Sequence, residues 1–586
     1  MNECWDLNPL YSGFDDPAFA RDVGALRETV AQWAVFAGEL KSLSPREGLR
    51  RGTKLLEDLV LLIDRVAAYP RLCAAVNTGD TEALSWQGKI GAIISASAGS
   101  QAVFKQWAGS LPELEQLVSG DEQLRDYAFY YRQLAAGNSH LLNEDRESVL
   151  ASMRLSGKTA WHTMRGEVTS TAKVAYRGKD TNLSAVRNLA RDPDPAVRRD
   201  AYEAELAAYE AIKGPIAHAM NAIKLETINE CRMRGYDSVL DWSLRQARMS
   251  EETLDAMFAA IDEYLPRLRR YLRAKAKLLG YEGGLPWYEL SAPVGKVGYS
   301  CTPEQARDHL LQLFYPFDEE MGQMMERAFR EAWIDFHPRS GKRDGAFCSS
   351  VRSMGRSWVL TNFGGNLAAI GTLAHELGHA FHNICITDHR PLNRSYTRPV
   401  SETASTFNEC VLYSDVIARA GDEEELLGLI DGCLAHEAGL IVDIYSRFLF
   451  EKEVFARRED RFLSAGDLCD IMLGAQEASY GDGLDQEKRH PYMWVCKPHY
   501  YSDFYYNYPY AFGQLFARGL YAQYEKEGAA FVPKYKRLLH ATTVSTVEDA
   551  AKVADIDLTD KVFWRDALES IVGMVDRFCA LVEEKM

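Results

Sequence analysis

Apolar residues recur along most of the chain at gaps of three and four. Leu254, Met257, Phe258, Ile261, Leu265, Leu268 and Leu272 form one stripe, and Trp564, Leu568, Ile571, Val575, Phe578 and Val582 another. A 3.6-residue period puts each set on one helix face, so both predict amphipathic helices whose stripes are core. The first has its own punctuation: Ser250 as N-cap, Glu251 and Glu252 at the positive end of the dipole, and Gly280 as the stop. Pro266 within it predicts a kink or a division. Thr302-Pro303-Glu304-Gln305 predicts a capping box with proline at the first helical position. Strand signals are few. Trp287–Leu290 and Ser357–Phe363 are short, aromatic or branched, and bounded by Gly and Pro, and the second runs into a turn at Gly364-Gly365. The pattern predicts a mainly α protein with one small sheet. A cluster of Gly, Asp and Pro from Gly178 to Pro195 predicts a boundary, with an N-terminal helical lobe over residues 1–190 and a second domain over 191–586.

Composition narrows the function. The 586 residues are 47% hydrophobic and 26% charged, as in an ordinary globular protein. With 84 acidic against 67 basic side chains, a net charge of −17 argues against nucleic acid as a partner. The local basic run Arg267–Arg273 reads as a solvated helix face. The 11 cysteines contain no C-x-x-C pair and point to a reducing compartment. Neither a basic n-region with an apolar h-region nor an 18-residue apolar run is present, so no membrane span is expected and a cytoplasmic protein is expected.

The chemistry concentrates in Ala374-His375-Glu376-Leu377-Gly378-His379-Ala380-Phe381-His382. His375 and His379 are four apart, so on a helix both imidazoles leave one face a turn apart and reach one zinc ion at ~2.0–2.1 Å. Glu376 lies about 100° round from His375, badly placed as a ligand but able to reach a water beside the metal. Apolar flanks predict a buried helix, where two histidines and a glutamate would be costly without a cation. A catalytic zinc takes a third protein ligand. Glu402, 27 residues after His375 at the start of another apolar helix, is the candidate, and Glu409 on nearly the same face is the candidate acceptor for a ligand histidine's second N–H. His382 is expected to make a neighbour hydrogen bond instead of binding metal. His436-Glu437 has Leu440 where a second histidine would be needed, and is not a site.

Pro498 to Tyr510 packs six tyrosines and His499 into 13 residues. Single buried tyrosines are usually core. The density suits a wall of donors for the oxyanion of amide hydrolysis. Gly513 is expected to end or loosen this segment.

His-Glu-Leu-Gly-His, followed by Ser401 to Glu409 and by Pro498-His499-Tyr500-Tyr501, resembles the oligoendopeptidase F branch of the thimet oligopeptidase family of zinc metallopeptidases. The opening Trp5-Asp6-Leu7-Asn8-Pro9-Leu10-Tyr11 is similar too, so the resemblance runs nearly end to end. It implies a two-lobed helical fold with a deep central channel, one zinc ion on its floor and a small sheet nearby. It implies short peptide substrates, with folded proteins excluded. His375, His379 and Glu402 match the zinc ligands, Glu376 the catalytic glutamate and His499 the transition-state histidine. Tyr508 and Tyr505 are the favoured tyrosine donors, with Tyr501 and Tyr510 as rivals. Gly345-Ala346-Phe347 and Leu360-Thr361-Asn362 resemble the edge that pairs with substrate backbone. Cys348 beside that edge departs from the family pattern and predicts sensitivity to thiol reagents.

The expected reaction is cleavage of internal peptide bonds by attack of a zinc-bound water, with Glu376 as base and then acid and no covalent intermediate. A zinc carboxypeptidase or other exopeptidase with a related channel is the alternative enzyme. A non-catalytic helical peptide-binding protein is the alternative outside enzymes. Substrate preference and oligomeric state, monomer or homo-oligomer, are not encoded in any motif.

Overall fold

The computed structural model describes residues 2–296 and 298–586. Most of them are helical, as the periodicity predicts. Ser250 caps the helix Glu251–Leu278 by accepting from Thr253 N, Thr302 and Gln305 form the full capping box, and Gly280 with φ +85° follows the first helix as its stop. Two expected breakers do not interrupt their helices. Helix Glu251–Leu278 runs through Pro266 without a division, and helix Tyr508–Glu527 runs through Gly513. Pro266 lies on the exposed face, where water can take the carbonyl it frees, while Ile261, Leu265 and Leu268 stay buried opposite. Packing of a whole apolar face outweighs one local breaker.

Among the described residues five strands make two sheets. β1 (Lys173–Tyr176) and β2 (Lys179–Asn182) are an antiparallel hairpin. β3 (Ile334–Asp335), β4 (Phe347–Val351) and β5 (Arg356–Leu360) form the second sheet in the order β3-β5-β4, with β5 parallel to β3 and antiparallel to β4. The strand expected at Ser357–Phe363 is β5. The one expected at Trp287–Leu290 is instead a 3₁₀ turn, Trp287–Glu289, because Pro286 starts it and Glu289 N bonds back to Pro286 O.

The described residues divide into two compact units that alternate along the chain. The first comprises residues 1–141, 299–412 and 524–555, and the second 142–298, 413–523 and 556–586. A single boundary at 190/191 therefore falls inside the second unit, where the Gly-, Asp- and Pro-rich stretch builds β2 and the cap of the 40-residue helix Pro195–Arg234.

The core of the first unit joins its N-terminal helices to the three-stranded sheet, with Trp5, Tyr11, Phe19 and Trp33 buried in one cluster with Trp358 and Leu360. The opening segment braces that sheet: Trp358 Nε1 donates to Asp6 O (2.8 Å) and Asp6 N to Ala332 O (2.8 Å). The core of the second unit gathers Trp494, Tyr500 and Tyr501 around the helices Pro195–Arg234, Val442–Arg458 and Ala465–Tyr480. It buries an ion pair, Lys224 Nζ to Glu451 Oε1 at 2.5 Å, both side chains 1% exposed.

Candidate metal centre and active site

The helix Leu367–Cys385 carries the His-Glu-x-x-His segment and is capped by Asn366, which accepts from Ala369 N. Leu373, Ala374, Leu377, Ala380 and Phe381 are all fully buried, which fixes its rotation and sends His375 and His379 out on one side. Helix Thr403–Ala418 lies against it, with Glu402 just before its first residue. Two contacts set that approach. Asn408, fully buried, donates from Nδ2 to Ala374 O at 3.1 Å. Gly378 leaves room for the facing backbone: a Cβ there would lie 2.5 Å from Ala404 O and 2.6 Å from Ser405 Cα.

Three donor atoms converge. Glu402 Oε2 is 3.3 Å from His375 Nε2 and 3.3 Å from His379 Nε2, and the two imidazoles stand at 84° with centroids 4.9 Å apart. His375 Nδ1 is 2.5 Å from Glu409 Oε1. A carboxylate can only accept, so Nδ1 carries the proton and Nε2 presents a lone pair. That lone pair faces another, on Glu402 Oε2, and only a proton or a cation between them makes the contact favourable. A tetrahedral zinc with ligands at ~2.0–2.2 Å would set such donors ~3.3–3.5 Å apart, so the residues fit the ion. The charges agree. Burial opposes protonation of His375, but its bonds to Glu402 and Glu409 outweigh that and lift its pKa to about 10. Burial raises the Glu402 carboxyl, yet the two imidazoles win and hold it far below the carboxylate range. The set is built around a positive charge.

Glu376 is buried and accepts no hydrogen bond among the described residues; burial raises its pKa, against the pull of the two imidazoles. Its carboxyl lines a cavity of about 390 Å³ together with Ala346, Phe347, Cys348, Ser350, Arg352, His375, His379, Asn383, Tyr396 and Glu402. Five of these are on or beside β4, whose outer edge is unpaired in the sheet order. Gly345, with φ +80°, makes the turn into β4, and Asn362 Nδ2 holds that turn through Arg343 O (3.1 Å) and Gly345 O (2.9 Å). Leu360 was expected on the free edge. It lies on the central strand, paired with Phe347 on one side and Asp335 on the other, so its backbone has no free edge to offer a peptide. Cys348 borders the cavity, but burial, with Glu376 adding to it, pushes its thiol up to about 12, which runs against thiol sensitivity.

His382 makes the neighbour bond expected of it, Nε2 to Thr542 Oγ1 at 2.9 Å, and stacks on Tyr396 at 4.4 Å. Asp388, His389 and His540 form a second group of possible ligand atoms, but hydrogen bonds running from Asp388 through His540 and His389 to Thr543 satisfy it without an ion.

His499 and the tyrosine run lie in the second unit. His499 stacks on Tyr506 (4.9 Å, 8°) and approaches Tyr510 (6.0 Å), and its buried Nδ1 has no partner. Burial and the Arg447, Lys497 and Arg165 charges keep this ring below the usual histidine pKa. Of the four tyrosines named from sequence, three are buried. Tyr501 spends its hydroxyl on Trp494 O (2.8 Å), Tyr505 packs on Phe448 and Phe455 with φ +47°, and Tyr508 reaches Ser243 Oγ (3.3 Å). Tyr510, with the unnamed Tyr506, is what the fold brings beside His499.

Arg352, Asn383 and Tyr396 line this cavity without having been singled out. Asn383 follows His379 by four residues on the same helix face, a signal that spacing alone offered.

The model of peptidase family M3 matches residues 313–569, which hold His375, Glu376, His379, Glu402 and Glu409, and the oligopeptidase F model matches 111–173. The chain belongs to peptidase family M3. It is a metallo-oligopeptidase. Oligopeptidase PepF of Bacillus subtilis (strain 168) is 24% identical over 599 aligned residues, covering 100% of this chain and 86% of the relative. Group B oligopeptidase PepB of Streptococcus agalactiae serotype III is 25% identical, covering 86% and 84%. In fold the chain is similar to a putative peptidase from Chlamydophila abortus (TM-score 0.87, 18% identity, 99% and 98% of the two chains). It is also similar to oligoendopeptidase-F from Enterococcus faecium (TM-score 0.71, 19% identity, 96% and 98%). No helix among the described residues is long and apolar enough to cross a membrane.

Proposed function

We propose that this M3 peptidase is a zinc-dependent oligoendopeptidase that hydrolyses internal bonds of short unstructured peptides with Glu376 as general base and acid. The observation that carries the reading is the meeting of two imidazole Nε2 atoms with one carboxylate oxygen at 3.3 Å, beside a buried carboxyl that accepts no hydrogen bond among the described residues. When bound, zinc supplies a Lewis acid that acidifies water and polarises the scissile carbonyl. His375, His379 and Glu402 hold the ion, and Glu409 keeps the proton of His375 on Nδ1, so that Nε2 stays free to bind. Glu376 takes the proton of the attacking water as its oxygen bonds to the carbonyl carbon. It then delivers that proton to the amide nitrogen as the C–N bond breaks, leaving a carboxylic acid and an amine, which become carboxylate and ammonium when the acid's proton passes to the amine. The raised pKa of Glu376 suits both tasks. β4 is the edge on which an extended peptide is laid. The family resemblance implies His499 as a donor to the oxyanion, with Tyr508 or Tyr505 as the favoured tyrosine and Tyr501 and Tyr510 as rivals. All 11 cysteines are free, which supports a reducing, cytoplasmic location.

Glu376→Gln tests the reading. The variant should retain one zinc per chain and lose about 10²- to 10⁴-fold in kcat/KM on an unstructured peptide. Near-normal hydrolysis with metal bound would overturn it. Mass spectrometry of the wild-type products should show internal cuts; removal of terminal residues alone would establish an exopeptidase.

A further inference from the structure

Arg352 is the first residue of the 3₁₀ turn Arg352–Met354 that joins β4 to β5, and it lines the same cavity as His375, Glu376, His379 and Glu402. Its placement is built. Arg352 Nε donates to Asn383 Oδ1 at 2.9 Å, and Asn383 Nδ2 donates to His379 O at 2.7 Å, so the guanidinium is tied to the backbone of a metal ligand. The ring of Tyr396 lies 5.9 Å from its central carbon. Among the described residues no carboxylate comes within ion-pair distance of Arg352. Asp64 feels its charge from further off, and Oδ2 of that residue is taken by Ser353 N and Oγ, each at 3.3 Å.

Its polar neighbours, Asn383 and the Tyr396 hydroxyl, are neutral, so this half-buried cation pays desolvation without the return of a counter-charge, which is why such groups collect at binding sites. The chemistry of the guanidinium is specific. With Nε engaged, the two terminal nitrogens point their N–H bonds in one plane, the geometry that grips both oxygens of a carboxylate at once. A lysine would offer a point charge and no such fork.

We propose that Arg352 is a carboxylate-binding subsite of the metal cavity, selecting peptides that carry a carboxylate near the scissile bond. The inference rests on the peptidase reading above and adds a substrate class to it. Two sources share this chemistry, the side chain of Asp or Glu and the free C-terminus of a short peptide.

The test is a set of peptides of one length with a single Glu moved through the sequence, each matched by its Gln counterpart, and each made as free acid and as C-terminal amide. For wild-type protein, Glu at one position near the cut should raise kcat/KM about tenfold over Gln, and Arg352→Gln should bring that ratio to about one. Arg352→Lys should fall between, and Arg352→Glu should favour Lys at that position. If the C-terminus is the ligand, amidation should lower wild-type kcat/KM about tenfold, the cut should stay a fixed distance from the end, and Arg352→Gln should abolish the difference. Dissociation constants of the same peptides on Glu376→Gln protein, with and without Arg352→Gln, read the preference without turnover, so failure to hydrolyse peptides is kept apart from failure of the subsite. Equal Glu-to-Gln and acid-to-amide ratios with and without Arg352, in folded variants of unchanged metal content, would overturn the proposal.

Discussion

Gly378→Ala is the sharpest probe of how the metal centre is assembled. The added Cβ would sit 2.5 Å from Ala404 O, 2.6 Å from Ser405 Cα and 2.8 Å from Ala404 C, all backbone, where ordinary contact begins at 3.4 Å. No side chain can rotate out of the way, so the two helices must part by about 0.9 Å. Glu402 is two residues from Ala404, and its Oε2 is 3.3 Å from each imidazole, while zinc–ligand distances tolerate only ~0.2 Å. Overpacking of this kind costs about 1–3 kcal/mol, and a 1 Å error at a reacting centre costs about 10²-fold in rate. The variant should therefore melt lower, release zinc more readily to a chelator and lose about two orders of magnitude in kcat/KM. Gly474→Ala is the control. It lies on the exposed face of helix Ala465–Tyr480 with nothing within 4 Å of its Cβ position, and should gain about 0.5–1 kcal/mol. Wild-type activity and metal retention in Gly378→Ala would refute the claim that helix separation sets the ligand geometry.

Three further outcomes follow from the geometry. Glu409→Ala removes the acceptor of the His375 Nδ1 proton and should weaken metal binding about 10- to 100-fold in a chelator competition. Lys224→Met leaves Glu451 buried and unpaired and should cost about 3–5 kcal/mol by urea denaturation, while Lys224→Met with Glu451→Leu should recover most of that loss. Cys348, its thiol held near 12, is almost wholly protonated at neutral pH, so iodoacetamide at pH 7 should leave activity intact, and the rate of Cys348 modification should rise about tenfold per pH unit toward alkaline pH, as mass spectrometry of the peptide would read.

The grouping of His375, His379 and Glu402 was legible in the sequence because its information is local. His375 and His379 need only helical spacing to share a face, and the seven residues from Glu402 to Glu409 put both near one helix face. The helix stripes and caps were legible for the same reason. Roles that depend on what lies across a tertiary contact were not. Arg352 becomes notable only when the β4–β5 turn brings it to Asn383, and the crowded tyrosines have no register of their own. Only the folded chain shows that Tyr501, Tyr505 and Tyr508 are buried while Tyr506 and Tyr510 flank His499. Trp287–Leu290 has strand-like side chains, but Pro286 and a buried Glu289, bonded by Arg198 at 2.9 Å, fix a 3₁₀ turn there. The alternation of the two units is set by contacts between residues hundreds of positions apart, which periodicity does not report.

The central claim is that one divalent cation sits among His375, His379 and Glu402. Anomalous diffraction at the zinc edge, from crystals grown with zinc, tests it most directly. The account predicts a peak about 2.0–2.2 Å from His375 Nε2, His379 Nε2 and Glu402 Oε2, absent in crystals of His379→Ala. A fully occupied zinc elsewhere, with these three atoms unligated, would contradict it.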